Sequence, residues 1–354
     1  MNYNQLLSEV VEDDNITDLH LTVHSRPFIR KNGRFRPHPD YKRRLVSDDV
    51  EEVLESIIPT HLEDEFASRG EADFSYSRPG VSRFRVNAYH QRGSLCIAMR
   101  IIPDSTPDID ELDLPRVLKS LASRKRGLIL STGPTGSGKS TTQAAIINEI
   151  NQTREAHVIT LEDPIEYLHK HDKSLIHQRE IGGDTSSFAQ GLRSALRQDI
   201  DVLLVGEIRD RETIRIVLEA AETGHLVLAT LHTSSAPAAI DRIVDIFPPE
   251  QRTQVRMQLS MVLSGVLAQQ LVRRSDREGL IAAFEIMIAN AAVRNIIREG
   301  KTSQLDSIIQ TGSKYDMIGM DNFLLDLFFS GIISRERVLR SSHDIKYVQD
   351  GLKF

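Results

Sequence analysis

Residues 127–150, GLILSTGPTGSGKSTTQAAIINEI, constrain this chain more than any other stretch. An apolar run ends in G-x-x-x-x-G-K-S (Gly133, Gly138, Lys139, Ser140) and passes straight into a helix-forming segment. Strand, glycine-rich loop and helix in that order make a phosphate cradle. The glycines let backbone N–H groups turn inward, and the helix N-terminus adds positive potential. Lys139 then reaches the β- and γ-phosphates and Ser140 a Mg²⁺ ion, so ATP and Mg²⁺ are the expected ligands. Thr135, Gly136, Ser137 and Thr141 complete the candidate nucleotide-binding set.

A loop of this kind needs an open α/β sheet around it. The flanking sequence alternates strand and helix patterns, with strands near 127–132, 157–161, 201–205 and 225–231, which predicts a mostly parallel sheet covered on both faces. The first hundred residues mix strands and helices instead. ITDLHLTV sets Leu19, Leu21 and Val23 against Asp18, His20 and Thr22, and Asn32-Gly33 marks a hairpin. Helices are expected over 48–68, broken at Pro59, followed by the strands VSRFRVNAY and SLCIAMRII. Between the halves, PDSTPDIDELDLP carries three prolines and five acids (Asp104, Asp108, Asp110, Glu111, Asp113), which predicts an extended linker. Beyond Pro248-Pro249 the pattern reads as mostly helical. The expected layout is a domain over 1–103, a linker over 104–115, and a nucleotide-binding domain over 116–354 whose part from about 250 is helical.

Bulk properties narrow the function. Lys and Arg number 44 against 50 Asp and Glu, a net charge of −6, which speaks against nonspecific nucleic-acid binding. The single cysteine, Cys96, excludes an intrachain disulfide and a multi-cysteine zinc site. No apolar run approaches the ~20 residues that span a bilayer. The acidic start MNYNQLLSEVVEDDN is unlike a secretory signal. A cytoplasmic, water-soluble protein is the expectation.

Four carboxylates stand where the chemistry is expected. In DIDVLLVGEIRD, Glu207 follows a buried strand at the edge where open sheets bind ligands. It is expected to hold Mg²⁺ with Ser140, partly through water, since Gly206 stands where an aspartate is usual; the alternative is an ion pair with Arg209 or Arg211. In HVITLEDPIEYL, Glu162, Asp163 and Glu166 follow another strand. They form either a helix capping box with Pro164 at the first turn, or carboxylates that orient or deprotonate an attacking water.

GHLVLATLH holds two histidines seven residues apart, so along a strand they stand ~23 Å from each other on opposite faces and cannot share an ion. His232 is expected beside the γ-phosphate, bonded to it or to the catalytic carboxylates. His225, at the far end, reads as a packed histidine with one nitrogen satisfied or as a further group of the nucleotide site.

Arginines supply the last candidates. Arg83, Arg85, Asn87 and Tyr89 share one strand face. With HQRG as a four-residue loop, Tyr89 pairs with Ser94 and Arg83 faces Arg100, with Arg85 beside them. Such a cluster needs an anion: a local carboxylate such as Glu71 or Asp73, or the γ-phosphate of a neighbouring subunit. The basic tract over 26–44, with eight Lys/Arg against Asp40, is a solvated hairpin face or a surface for an acidic partner.

The motifs ITDLHLTV, GPTGSGKSTT, VITLEDPIEY, ALRQDIDVLLVGEIRD, AAETGHLVLATLHT and AVRNIIREGK together resemble the bacterial type II/IV secretion ATPases, specifically the type IV pilus retraction ATPases. The resemblance covers nearly the whole chain. It implies a PAS-like N-terminal domain, a RecA-like P-loop ATPase domain and a homohexameric motor at the cytoplasmic face of the inner membrane. Such a motor works on a pilus or secretion platform protein and associates with the membrane through such partners. It further implies Glu166 as general base, Glu207 on Mg²⁺, His225 and His232 as a histidine box, and Arg83, Arg85 and Arg100 as inter-domain arginines. AVRNIIREGK by itself says only amphipathic helix; the resemblance ties it to retraction. Relatives that extend pili usually carry a four-cysteine zinc module, which one cysteine cannot supply, so retraction is expected over assembly. A related secretion ATPase remains the alternative, and a RecA-like nucleic-acid translocase the alternative of another class.

Overall fold

The computed structural model describes residues 3–13, 15–103 and 105–353; Asp104, the first acid of the expected linker, lies outside them. The chain divides into two compact units, Met1–Ser105 with Glu166–Leu168, and Thr106–Ile165 with His169–Phe354.

The first unit carries α1 (Tyr3–Glu12), β1 (Ile16–Thr22), β2 (Phe28–Lys31), β3 (Arg34–Pro37), α2 (Ser47–Ile57), α3 (Thr60–Arg69), β4 (Glu71–Arg78), β5 (Ser82–Gln91) and β6 (Ser94–Ile102). The strands form one antiparallel sheet in the order β3-β2-β1-β6-β5-β4. Strand alternation decides which face is buried: Leu19, Leu21, Phe84, Val86, Ala88, Ile97 and Met99 enter the core with Val50 and Val53 of α2. Asn32 and Gly33, both at positive φ, make the β2–β3 turn.

The expected β5–β6 register is corrected. The loop is the two-residue turn Arg92-Gly93, both at positive φ, with Gln91 opposite Ser94 and Tyr89 opposite Cys96. Arg83 therefore faces Ile102, and it is Arg85 that faces Arg100. A two-residue slip leaves every side chain on its face, so apolar matching could not distinguish the two registers. Turn geometry could, because positive φ at both central residues suits the strand twist.

The second unit contains α4 (Val117–Ala122), β7 (Gly127–Thr132), α5 (Lys139–Thr153), β8 (His157–Glu162), β9 (Leu175–Glu180), α6 (Phe188–Ala195), β10 (Val202–Val205), α7 (Arg211–Glu222), β11 (Leu226–Leu231), α8 (Ala236–Asp245) and α9 (Pro249–Val262). It continues with β12 (Leu263–Arg273), β13 (Leu280–Ile288), α10 (Ala291–Glu299), α11 (Leu305–Thr311), α12 (Met320–Phe329), α13 (Arg335–Ser341) and α14 (Ile345–Gly351). The sheet order is β13-β12-β7-β11-β10-β8-β9, parallel except for the β12–β13 pair. Both faces are covered. Leu128, Leu130, Leu203, Val205, Val227 and Ala229 enter one core, and Ile129, Val202, Leu204, Leu226 and Leu228 enter the other beside Ile146 and Ile150 of α5.

Two expectations fail here. The part beyond residue 250 is not simply helical, because it contributes β12 and β13, the longest strands of this sheet. Both are buried on two faces and so show none of the alternation that betrays a strand. Nor is the acidic segment extended along its length. Residues 108–114 fold into successive turns, with Leu112 N–H donating to Asp108 O and Leu114 N–H to Ile109 O, and Ile109 and Leu114 are buried. Two of its acids are ion-paired, Asp110 with Lys119 and Asp113 with Arg274 and Arg277, which offsets part of their mutual repulsion. No helix of the described residues is long and apolar enough to cross a membrane.

Candidate functional site

The adjacent parallel strands β7, β11, β10 and β8 end at one edge of the sheet. The residues just beyond them are the loop from Gly133, His232, Gly206-Glu207, and Asp163. This brings the phosphate loop, Glu162, Glu207 and His232 of the expected site together.

The loop is shaped by what it rests on. A Cβ at Gly133 would lie 2.3 Å from the carbonyl oxygen of Gln269, and one at Gly138 would lie 2.8 Å from Gln269 Nε2. Gln269, buried on β12, also accepts a hydrogen bond from Thr142 Oγ1 at 2.8 Å. Strand β12 thus supports both ends of the loop. Sequence reasoning passed Gln269 over, although a polar pair inside the apolar run LAQQLV was a usable signal.

Lys139, buried at 8% exposure, donates from Nζ to the carbonyls of Gly133 at 2.8 Å and Pro134 at 3.0 Å. Ser137 Oγ is buried with no partner among the described residues. Helix α5 starts at Lys139, where the first N–H groups of a helix have no partner within it. Ser140, in that first turn, and Thr141 are both partly exposed. An ammonium, open N–H groups and serine hydroxyls are the donor set a polyphosphate with a hard divalent cation requires, so these residues fit ATP and Mg²⁺.

Glu207, largely buried, is ion-paired with Arg209 and lies 3.4 Å through Oε2 from His232 Nε2. The ion pair weighed as an alternative exists, and it stands at this edge of the sheet. Gly206 N–H donates to Leu161 O at 2.8 Å, and a Cβ at 206 would lie 3.1 Å from that oxygen. The strand ends approach closely here, so a side chain at 206 would need its neighbours to give by a few tenths of an ångström. Glu162 accepts from Thr160 Oγ1 at 2.6 Å and from Gln178 Nε2 at 3.2 Å.

The capping box is not found. No helix follows Asp163, whose bond to Pro164 is cis, and the N–H of buried Ile165 donates to Glu180 Oε2 at 3.1 Å. A tertiary acceptor on β9 replaces the helical one. Glu166 is exposed and belongs to the first unit together with Arg83, Arg85 and Arg100.

His225 is separated from the loop. Its carbonyl accepts from Gly127 at the start of β7, six residues before Gly133, or ~20 Å along a strand. Its Nδ1 lies 2.9 Å from Ala220 O. Within one protomer its ring is held beside Ala220, away from the phosphate loop. Among the arginines, Arg100 pairs with Asp18 at 2.9 Å, the local carboxylate being Asp18 rather than Glu71 or Asp73. Arg83 donates to Ser77 Oγ at 2.8 Å, and Arg85 is exposed and pairs with no acid among the described residues. In the basic tract, Arg30, Lys31 and Arg43 pair with Asp18, Asp13 and Asp49.

Comparison with known proteins agrees with this architecture. A family model described as type II/IV secretion system protein matches residues 79–312. A type IV pilus retraction ATPase, PilT, of Pseudomonas aeruginosa is 46% identical over 324 residues, covering 90% of this chain and 92% of the relative. A twitching motility protein of Neisseria gonorrhoeae is 46% identical over 313 residues, 87% of this chain and 84% of the relative. A crystal structure of the pilus retraction motor PilT with bound ADP superposes with a TM-score of 0.91 at 43% identity, covering 99% of both chains. The Legionella pneumophila ATPase DotB follows at 0.82 and 30% identity, covering 99% of this chain and 95% of that one. With identity of this order sustained along both units, the chain belongs to the type II/IV secretion system protein family and, within it, to the twitching-motility and pilus-retraction ATPases.

Proposed function

We propose that this protein hydrolyses ATP as a homohexameric motor that powers type IV pilus retraction, acting at the cytoplasmic face of the inner membrane on a platform protein. The observation that carries the hydrolytic reading is the convergence of the phosphate loop, Glu207 and His232 at adjacent strand ends. Lys139 exchanges its two carbonyl partners for phosphate oxygens when nucleotide enters. Ser140 and Glu207 would hold Mg²⁺, Glu207 partly through water, and the metal would supply positive charge against that developing on the transferred phosphoryl group. Glu166 deprotonates the attacking water, with Glu162, held by Thr160 and Gln178, as the second carboxylate of the acidic box. His232 registers the γ-phosphate through Glu207. Arg83, Arg85 and Arg100 act toward a neighbouring protomer's nucleotide, which gives the ring its coupling between sites.

Purified protein should release phosphate from ATP in the presence of Mg²⁺. Lys139→Ala should abolish nucleotide binding, whereas Glu166→Gln should bind ATP and fail to turn over. Normal turnover in Glu166→Gln would pass the base role to Glu162. A second reading, the motor of a related secretion system, draws on the likeness to DotB. Loss of pilus retraction, rather than of secretion, in a deletion strain decides between the two.

A further inference from the structure

Glu285, on the edge strand β13, is only 5% exposed and takes no part in the proposed chemistry. Its Oε1 accepts a hydrogen bond of 2.7 Å from the backbone N–H of Ala236, the first residue of α8. A carboxylate buried there loses hydration, and the open N–H group and positive end of α8 compensate for that loss. The segment entering α8 is residues 232–235, which carries His232. Its other anchor is Thr233, whose N–H donates to Thr132 Oγ1 at 2.8 Å while Thr132 Oγ1 donates to Thr233 O at 2.7 Å. Thr132 is the last residue of β7, directly before the phosphate loop. The short segment that presents His232 to Glu207 is thus pinned at one end to β7 and at the other, through α8, to Glu285.

We infer that Glu285 is a positioning residue for hydrolysis: by holding the N-terminus of α8 it sets the place of His232 against Glu207. The inference rests on the ATPase reading of the site. It also explains why a carboxylate stands inside the otherwise apolar run AAFEIMI.

The test compares wild type with Glu285→Gln and Glu285→Ala, in full-length protein with Mg²⁺ and ATP. The amide oxygen of glutamine accepts the same N–H, so Glu285→Gln should keep kcat within about twofold. Glu285→Ala should lose about tenfold or more in kcat while KM for ATP stays within about threefold, because a displaced group costs rate and the phosphate loop is untouched. Amide hydrogen exchange should rise over 232–238 and stay unchanged over 133–142. A loss shared equally by KM, a glutamine variant as damaged as the alanine one, or unchanged exchange over 232–238 would overturn the assignment. Should Glu285→Ala not fold, Glu285→Asp gives the same reading, since it keeps the charge and falls about 1.5 Å short of Ala236. Wild type without ATP hydrolysis would sink the ATPase reading instead, and the exchange comparison would still decide whether Glu285 holds the segment.

Discussion

Gly133 and Gly136 stand three residues apart in one loop, both at positive φ, 148° and 78°. A methyl group meets different surroundings at each: carbonyl and hydroxyl oxygens at 2.3 and 2.6 Å for Gly133, nothing within 4 Å for Gly136. Gly136→Ala therefore carries only the left-handed backbone penalty, about 1 kcal/mol, while Gly133→Ala must displace β12 or the loop. Thermal melting should show Gly133→Ala well below Gly136→Ala. Equal melting of the two would remove the steric argument. His169 offers a test by pH. Burial holds its imidazole down to about 4, from an ordinary 6.5, and its Nδ1 has no partner among the described residues. Between those values the unfolded chain binds a proton that the folded chain refuses. Its contribution is full above pH 6.5 and falls as pH drops toward 4, by ~3 kcal/mol at the limit. Urea unfolding of His169→Gln should show a flatter decline than wild type between pH 7 and 4.5; parallel curves would mean that His169 titrates normally. Neither property was legible in the sequence, because both depend on what the fold brings against the residue.

At the scale of elements, α10 shows how a readable helix can hide its function. Its apolar stripe of Val293, Ile296 and Ile297 and its terminal Gly300 are where AVRNIIREGK puts them. The pattern did not say that Arg294 turns inward. Its guanidinium donates to Ser260 O at 2.6 Å, Leu263 O at 2.7 Å, Ala289 O at 3.1 Å and Met261 O, closing the junction between α9 and β12. Arg294→Lys keeps the charge and loses the planar fork, and should cost about 2 kcal/mol of unfolding free energy with ADP affinity unchanged. Weakened ADP binding at full stability would assign Arg294 to the site instead. The β5–β6 hairpin teaches the complementary lesson. Its faces were readable from Phe84, Val86 and Ala88, but its register was not, because a slip of two residues preserves every apolar match.

At the scale of the whole molecule, the proposed site borrows arginines from a neighbouring protomer. Native mass spectrometry should find a hexamer. Arg83→Ala alone should lose hydrolysis, and mixing it with Glu166→Gln should restore part of it, since some interfaces then combine an intact base with an intact arginine. No loss in Arg83→Ala would end the idea of action between subunits. The loop around Lys139, the parallel strands bearing it and the carboxylates at their ends were all determined by the sequence, because glycine placement, strand–helix alternation and strand direction are local properties. Only the tertiary structure decided that β12 underlies the loop through Gln269, that Asp18 neutralises Arg100, and that Ile165 spends its N–H on Glu180 rather than on a helix. Each of these joins residues distant along the chain, and local pattern carries no information about which distant partner satisfies a buried polar group.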